Sequence, residues 1–377
     1  MLNVTQIFFA GILLHDKLCA SMSNTTLFSP YRICPVGAHI DHQGGAVLGR
    51  TIKLGTTLEY RALDSKEIRI TSDQFGKAKF LIGELDQSHW ARYAQAAARV
   101  LNPKRGMKAH VTGSLIGAGL SSSASVGLAY LKALADVNET NLTHEQLVHL
   151  DFELECNELG LQNGLLDPMS IIYGRKNALL FMDVVTGSVS PIFDSPSSDS
   201  VWIVAYSGVS RELTKSGFNV RVAECHEAAA SLQSGAWKLG NVPREIFEVK
   251  KMSLPENLRR RAEHFFSEVE RVSLGRQVWA ESDAVRFGQL MNQSCESSIK
   301  NYEVGSEVLI QLHEIVSSAN GIYGSRFSGG GYGGCVVALA KADLAENACF
   351  EIAEKFSALH SDLPSKVFVV ETGDGLQ

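Results

Sequence analysis

The sequence predicts a protein of the α+β class, with an α/β-like alternation of elements, folded as two domains. Its 377 residues exceed the size at which a single hydrophobic core usually keeps growing. Segments with the two-residue period of half-buried strands interleave with helical segments in both halves of the chain. The run DSPSSDS contains no apolar residue, so we expect the boundary between domains 1–194 and 195–377 there.

The individual elements follow from local patterns. Alternating apolar and polar residues predict strands within 51–83 and a further strand at Met107–Gly113. Helices are predicted in SSSASVGLAYLKALADV, in HEQLVHLDFELECNEL and around residues 218–235 and 257–282. Further strands are predicted in NALLFMDV, SVSPIF and VWIVAYSG, and an amphipathic first helix in IFFAGILL.

The composition is that of a globular protein and argues against several classes of function. Apolar residues make up 45% of the chain, more than disordered chains contain. The net charge of −6 is mild and no stretch concentrates Lys and Arg, so we expect no nucleic-acid partner. The seven cysteines include no C-x-x-C pair, which favours reduced thiols in the cytoplasm. IFFAGILL is too short to span a bilayer, so no membrane partner is expected.

The strongest local signal is a loop of small residues before the first long helix. It comprises Gly117, Ala118, Gly119, Leu120, Ser121, Ser122, Ser123 and Ala124. Glycines let the backbone approach a ligand, and the helix start presents unpaired N–H groups to an anion such as phosphate. The alternative is a plain serine-capped helix start. The chain contains no Walker A loop and no protein-kinase H-R-D and D-F-G pair.

A second glycine cluster, FSGGGYGGC, contains Gly330 and Gly331 and leads directly into the apolar run CVVALA. By itself it is equally well explained as a tight turn that enters a buried strand. Two such clusters in one chain favour phosphate binding for both.

Two acidic residues stand out by their surroundings. Asp167 lies among apolar residues in GLLDP, where a carboxylate has to be paired, hydrated or protonated. Glu155 lies on the preceding helix. The alternatives are a turn aspartate and a solvent-facing glutamate.

The stretch SPYRICPVGAHIDHQGG carries more polar groups than a tight turn requires. Its glycines allow the backbone to fold tightly, but Arg32, His39 and Asp41 are not needed for that. These residues suit a polyhydroxylated ligand, with Asp41 accepting hydrogen bonds and His39 donating. His42 and Cys34 either contribute to this site or simply pack.

Taken in order, RICPVGAHIDHQGG, GAGLSSSASVG, NGLLDP and SGGGYGGC resemble the motifs and the catalytic-aspartate segment of the GHMP small-molecule kinases. They are most similar to the galactokinase branch, whose first motif reads G-R-x-N-L-I-G-E-H-T-D-Y, and especially to its galacturonate-phosphorylating members. The resemblance implies an N-terminal mixed-sheet domain with a ribosomal-protein-S5-like phosphate-loop unit. It also implies a C-terminal ferredoxin-like α+β domain, with the active site between the two.

The resemblance also implies transfer of the γ-phosphoryl group of Mg-ATP to the C1 hydroxyl of a sugar. The loop 117–124, with Gly330 and Gly331, would hold the nucleotide. Mg²⁺ would be bound by Ser122, or by Ser121, together with Glu155.

In the same pattern, Asp167 would accept the proton of the C1 hydroxyl and Arg32 would neutralise the developing charge. This division of roles agrees with phosphoryl transfer by positioning and charge stabilisation. The implied sugar site would be lined by Ala38, His39, Asp41, His42, Gly164, Phe218 and Arg211.

The departures from the family pattern indicate the substrate. The family's glutamate in G-E-H, which faces the C6 hydroxyl of the sugar in galactokinases, is Ala38 here. Two negative charges about 4 Å apart repel by roughly 4 kcal/mol at an effective dielectric of about 20, on the order of a thousandfold in binding. Loss of the glutamate therefore favours a sugar with a C6 carboxylate, D-galacturonate. The candidate basic partners of that carboxylate are a cationic His42 and Arg211.

Other departures are Leu115 for proline, Pro168 for glutamine and Phe218 for a sugar-contacting tyrosine. They remove no group that performs chemistry. The alternatives to a galacturonate kinase are a kinase for galactose, L-arabinose or glucuronate, and a catalytically silent sugar sensor. The intact acidic and basic residues argue against the silent sensor. We expect a monomer or a homodimer.

Overall fold

Two β-sheets with helices packed against them make up the fold, which confirms the predicted α+β class. The computed structural model describes residues 24–210 and 217–377. The helix predicted in IFFAGILL and the candidate residue Arg211 lie outside these residues. No helix within the two described ranges has the length and apolar character needed to cross a membrane.

The first sheet is mixed and uses strands from the N-terminal half. Its members are β1 (Thr25–Val36), β2 (Val47–Ala62), β3 (Glu67–Ser72), β4 (Gly76–Leu81), β5 (Met107–Gly113), β6 (Ala178–Asp183) and β7 (Ser188–Phe193). The strand order is β4-β3-β5-β2-β6-β7, and β1 pairs with β2 beside this path. The β3–β5 pair is parallel, whereas β1–β2, β2–β5, β2–β6, β3–β4 and β6–β7 are antiparallel.

The polar stretch around Arg32 forms a strand rather than a single loop, which differs from the loop that its prolines and glycines suggest. β1 pairs with β2 from Thr25 to Val36, with register shifts after Pro30 and after Ile33. Irregularities of this kind accommodate prolines within a paired strand. Arg32 is therefore held on a buried strand, and residues 37–46 alone form the loop that follows it.

Helices cover the first sheet, and the sequence predicts the two that begin at Ser122 and His144 but not Arg92–Leu101 or Leu166–Tyr173. They are α1 (Arg92–Leu101), α2 (Ser122–Val137), α3 (His144–Glu153) and α4 (Leu166–Tyr173). A reciprocal capping box between Thr143 and Gln146 starts α3. The chain then continues into a π-helical segment, Leu154–Glu158, which carries Glu155. Such segments are often found at functional sites.

The second sheet is antiparallel, with the order β11-β8-β10-β9. Its strands are β8 (Ser200–Tyr206), β9 (Ile322–Ser328), β10 (Cys335–Lys341) and β11 (Lys366–Val370). The helices of this half are α5 (Phe218–Leu232), α6 (Arg244–Lys250), α7 (Glu256–Ala280), α8 (Ala284–Lys300), α9 (Glu307–Ser318) and α10 (Ala345–Leu359). The apolar run CVVALA becomes β10, whose residues are buried up to Ala340.

The end of the chain returns to the first sheet after β11. The amide of Gly373 donates to the carbonyl of Thr51 at 3.2 Å, and the amide of Leu376 donates to the carbonyl of Ile171 at 2.9 Å. The polar segment between β7 and β8 joins the two sheets, and we propose the domain boundary there. The last residues nevertheless pack against strand β2 and helix α4 of the first half.

Candidate active site

The two glycine clusters meet backbone to backbone. Gly119 and Gly334 both have positive φ angles, 76° and 94°. A Cβ on Gly119 would lie 2.5 Å from the carbonyl oxygen of Ser328, and one on Gly334 would lie 2.5 Å from that of Ala118. Any side chain at these positions would push the loops apart, so the glycines are required by the close approach as well as by φ. Gly331 instead faces Val304.

An ion pair lies at the junction of the two loops. Arg32 Nε donates to Asp167 Oδ1 at 2.6 Å, and Arg32 Nη1 donates to the Gly119 carbonyl at 3.3 Å. The hydroxyl of Ser121 donates to the other carboxylate oxygen of Asp167. Burial alone would lower the pKa of Arg32, but the charge of Asp167 and its hydrogen bond hold that pKa above its ordinary value. The arrangement fixes one carboxylate and one cation beside the loop 117–124.

Asp41 is positioned by the segment that leads into α4. Its Oδ2 accepts a hydrogen bond from the amide of Leu166 at 3.1 Å. A Cβ on Gly164 would lie 2.2 Å from the same oxygen, so glycine at 164 is what permits this approach. Burial, with a contribution from the charge of Asp167, raises the pKa of Asp41 to about 6. Asp41 can therefore accept hydrogen bonds from hydroxyl groups near neutral pH.

A small cavity brings most of the predicted sugar residues together. Besides Arg32 and Asp167 it is lined by Ala38, His39, Asp41, Gly164 and Phe218, and also by Cys34 and Gly330. His39 stacks on Tyr302 with ring centroids 4.5 Å apart. The carbonyl of Ala38 accepts a hydrogen bond from His264 Nε2 at 3.0 Å. The loop 37–46 is thereby held against α7, and its residue Ala38 lines the cavity.

His42 does not provide the cation that the sequence suggests. Its Nδ1 accepts from the side-chain amide of Gln43 at 3.0 Å, which leaves Nε2 to donate to the Tyr302 hydroxyl at 2.9 Å. Burial lowers the pKa of His42 to about 3, so the ring is neutral at physiological pH. Sequence alone could not reveal this, because it depends on burial and on Tyr302, which is distant along the chain.

Glu155 lies beside the loop 117–124, called the serine loop from here on. One of its carboxylate oxygens has no hydrogen-bond partner among the described residues. Its Oε2 accepts from the side-chain amide of Asn163 at 2.8 Å, while the buried Oε1 has no hydrogen-bond partner among the described residues. Burial raises the pKa of Glu155 to about 7, the charge of Asp167 adds to this, and hydrogen bonds from Asn163 and Ser123 oppose it. A buried, unpartnered carboxylate oxygen next to a hydroxyl suits a hard cation such as Mg²⁺.

The structure favours Ser123 over Ser122 as the neighbour of Glu155. The hydroxyl of Ser122 accepts from the amide of Gly117 at 3.2 Å and so closes the loop on itself. Ser121 is engaged with Asp167. Ser122 or Ser121 with Glu155 stays a prediction for the metal site, while Ser123 is the serine that hydrogen-bonds to Glu155. The three serines are adjacent, and only the start of α2 at Ser122 decides which of them points toward the π-helical segment.

A larger cavity, of about 550 Å³, opens beside the serine loop. Its volume lies in the range of ordinary ligand sites. The serine loop forms one wall, and aromatic residues of the first half form another: Tyr31, Phe75, Trp90, Tyr93 and Tyr130. Phe75 and Trp90 stack with ring centroids 5.7 Å apart. These residues were missed by sequence reasoning, and the only available signal was the aromatic pair in HWARY.

Asp151 is a fully buried carboxyl one helical turn before Glu155. Neither of its oxygens has a hydrogen-bond partner among the described residues. Gly127 of α2 makes room for it, since a Cβ there would lie 2.6 Å from Asp151 Oδ1. Burial raises the pKa of Asp151 well above its usual value, and the charges of Glu155 and Asp167 add to this.

Asp151→Asn is expected to stabilise the protein at high pH. A carboxyl with a raised pKa in the folded state binds a proton on folding, so it costs stability above its unfolded pKa of about 3.9. The cost grows by about 1.4 kcal/mol for each pH unit until the folded pKa is reached. Urea denaturation should therefore show a gain at pH 8 that shrinks toward pH 4. The exposed Asp362→Asn is the control, and a gain independent of pH would refute the explanation.

Comparison with known proteins identifies the family. Residues 92–175 match the GHMP kinases N terminal domain, and residues 276–358 match the family's C-terminal counterpart, GHMP kinases C terminal. The galacturonokinase of Arabidopsis thaliana is 36% identical, with 92% of this chain and 91% of that protein covered. The galactokinase of Staphylococcus carnosus (strain TM300) is 30% identical, with coverage of 96% and 97%.

The fold agrees with a solved structure over nearly its whole length. The crystal structure of Lactococcus lactis galactokinase complexed with galactose aligns with a TM-score of 0.89 and 26% identity, covering 98% of this chain and 99% of that one. The predicted two-domain GHMP kinase fold is confirmed, with a mixed sheet in the first half and a second sheet in the other. The chain belongs to the GHMP kinase family and is a sugar kinase of the galactokinase type.

Proposed function

We propose that this protein transfers the γ-phosphoryl group of ATP to the C1 hydroxyl of D-galacturonate, giving galacturonate 1-phosphate and ADP. The observation that carries the choice of sugar is Ala38. Its side chain lines the small cavity beside Asp41, at the position where the galactokinase motif has a glutamate. An uncharged residue there leaves room for a substrate that brings its own carboxylate. The 36% identity with a galacturonokinase supports the same choice.

Asp167 and Arg32 form the proposed catalytic pair. Asp167 lies in the small cavity with 16% of its side chain exposed, so it can reach the C1 hydroxyl of a bound sugar. It orients that hydroxyl and accepts its proton. Arg32, which contacts both Asp167 and the phosphate loop, balances the charge that develops on the transferred group. Ser121 fixes the second carboxylate oxygen of Asp167.

Sugar kinases of this family use ATP as the phosphate donor, and the larger cavity fits the nucleotide. The serine loop would hold the phosphates through the start of α2, and the Phe75–Trp90 wall offers an apolar surface for adenine. Gly330, which lines the small cavity, and Gly331, which faces Val304, are the proposed nucleotide-binding glycines of the second cluster.

Glu155 and Ser123 are the proposed Mg²⁺ ligands. When bound, Mg²⁺ would neutralise charge on the phosphates of ATP. The unpartnered Oε1 of Glu155 and the adjacent Ser123 hydroxyl supply the hard oxygen ligands that this ion prefers.

Ser123→Ala is therefore expected to raise the Mg²⁺ concentration needed for half-maximal activity by about tenfold or more, the scale on which support of a metal site is lost. Ser122→Ala is the matched control, because its hydroxyl is used within the loop by Gly117. The measurement is a magnesium titration at saturating ATP. Equal increases in the required Mg²⁺ concentration for the two variants would contradict the role of Ser123 as a metal ligand.

The sugar would be held by the remaining residues of the small cavity. Asp41 is oriented by the Leu166 amide and accepts hydrogen bonds from neighbouring hydroxyls, while His39 and Phe218 form the wall near Tyr302. With His42 neutral, it cannot pair with the sugar carboxylate as a cation. Arg211 stays a candidate for that pairing.

Galactose is the second candidate substrate, because the similar galactokinases match nearly the whole chain. The position of phosphorylation is tested by ³¹P NMR of a reaction with ATP and galacturonate. We expect a phosphomonoester signal split by the anomeric proton. A signal coupled to another ring proton would refute C1 transfer, and absence of turnover with every sugar would favour the silent sensor. A cytoplasmic location and a monomeric or homodimeric state stay predictions.

A further inference from the structure

A buried cluster of charged side chains lies behind the small cavity. Glu268 of α7 is fully buried and pairs with two arginines: Arg271 Nε lies 2.6 Å from its Oε2, and Arg326 Nη1 lies 3.6 Å from its Oε1. The Ser294 hydroxyl donates to Glu268 and Arg326 donates to Ser294. Burial of a charge is tolerated only with such partners. One carboxylate is thus shared between two cations.

The cluster is joined directly to the loop that carries Ala38. The amide of Gly37 donates to Glu268 Oε1 at 2.7 Å. His264 and Val272 lie on α7 one turn before and one turn after Glu268. His264 Nε2 donates to the Ala38 carbonyl, and Val272 packs on Gly37. Spacings of four residues place these three side chains on one face of the helix. Glu268 therefore contacts the residue next to Ala38, the position at which this chain differs from the galactokinase motif.

Strands β1 and β9 bring Arg326 close to the cavity wall. Arg32 Nη1 donates to Ser328 Oγ at 3.4 Å. Two residues further along β1 lies Cys34, which lines the cavity, and two residues before Ser328 lies Arg326. Cys34 and Arg326 therefore each lie two residues from this contact between the two strands.

Charged groups of both signs lie near Cys34. Burial raises the pKa of the Cys34 thiol to about 12, which is the dominant effect. Among its charged neighbours, Arg326 and then Arg32 favour the thiolate more strongly than Glu268 and Asp41 disfavour it. Of these two cations, Arg32 is already paired with Asp167.

We propose that Arg326 is a specificity-determining residue: its buried charge, only partly balanced by Glu268, makes the cavity beside Cys34 and Ala38 favour a sugar that carries a carboxylate over a neutral one. The inference rests on the proposed function in that it concerns the same sugar site. Arg326 acts through space, since it does not line the cavity. In the galactokinase motif a glutamate at position 38 would offset this charge, and Ala38 leaves it available to the substrate.

The test compares kcat/KM for D-galacturonate and D-galactose in the parent chain and in variants of it. Arg326→Gln is expected to lower the galacturonate-to-galactose ratio by about tenfold, the effect of one unit charge at about 10 Å in a protein interior. Glu268→Gln keeps an oxygen to accept from the Gly37 amide but removes the opposing charge, so it should raise the ratio. The double variant should return close to the parent ratio.

The opposite changes in the galacturonate-to-galactose ratio expected for Arg326→Gln and Glu268→Gln distinguish an electrostatic role from a structural one. A residue that merely held the loop in place would, when changed, weaken both sugars and move the ratio in one direction. Arg326→Lys, which keeps the charge, should keep the ratio within about threefold. If Arg326→Gln does not fold, Glu268→Gln alone still decides, since a folded variant with an unchanged or lowered ratio overturns the inference.

Failure of the proposed function gives a different result. A parent enzyme that prefers galactose would refute galacturonate as the substrate. The shift in ratio between parent and variants would still be measured, because it is defined whichever sugar is preferred. Unchanged ratios in an enzyme that does prefer galacturonate would refute the role of Arg326 and leave the proposed function standing.

Discussion

Asp167→Asn is expected to lower kcat with the preferred sugar by on the order of a thousandfold, within the range seen when a positioned proton acceptor is lost. Asparagine keeps the size of the side chain and can still accept from Arg32, but it cannot accept the hydroxyl proton. The nucleotide cavity is formed largely by other residues, so affinity for Mg-ATP should change little.

The measurement pairs steady-state kinetics with calorimetric titration of Mg-ATP. Asp362→Asn, at an exposed position near the end of the chain, is the control for the chemical change itself. A variant with nearly unchanged kcat would remove Asp167 from the mechanism. Loss of Mg-ATP binding together with activity would show that Asp167 instead holds the phosphate loop together through Ser121.

Ala38→Glu is expected to reduce kcat/KM for galacturonate by on the order of a thousandfold, because two carboxylates about 4 Å apart repel by roughly 4 kcal/mol at an effective dielectric near 20. Galactose has no charge at C6, so its kcat/KM should fall less, or rise if the new carboxylate accepts a hydrogen bond from the C6 hydroxyl. The substitution is therefore expected to shift the preference of the enzyme from galacturonate toward galactose.

Ala38→Gln is the matched control, since glutamine has nearly the size of glutamate and no charge. Both variants fill the same part of the small cavity, and their difference isolates the charge. If glutamine lowers galacturonate activity as much as glutamate does, crowding rather than repulsion explains the effect. In that case Ala38 enlarges the pocket instead of changing its charge.

The sequence was sufficient for the parts of the site that depend on local backbone chemistry. The helix start after Gly119, the order of the motifs and the isolated carboxyl of Asp167 could all be recognised from residue types and spacing. The predicted strand Met107–Gly113 also has the bounds found in the structure. The strand and the helix start follow from periodicity and from the special conformations of glycine, both of which can be read from the sequence.

Other features depend on contacts between residues far apart in sequence. His42 is neutral because it is buried, with the distant Tyr302 as one hydrogen-bond partner, and Arg32 belongs to a strand because β2 pairs with the irregular β1. Ser123 hydrogen-bonds to Glu155, which lies more than thirty residues further along the chain on the π-helical segment after α3. The link between Arg326 and Glu268 joins α7 to β9. None of these has a local pattern that predicts it.

We infer that this protein is a sugar 1-kinase that selects an acidic sugar. The decisive assay measures ADP release from Mg-ATP with D-galacturonate, D-galactose, D-glucuronate and L-arabinose side by side, compared as kcat/KM. We predict turnover with the highest kcat/KM for galacturonate. A higher value for galactose would contradict the meaning given to Ala38, and no turnover with any of the four would contradict the kinase itself.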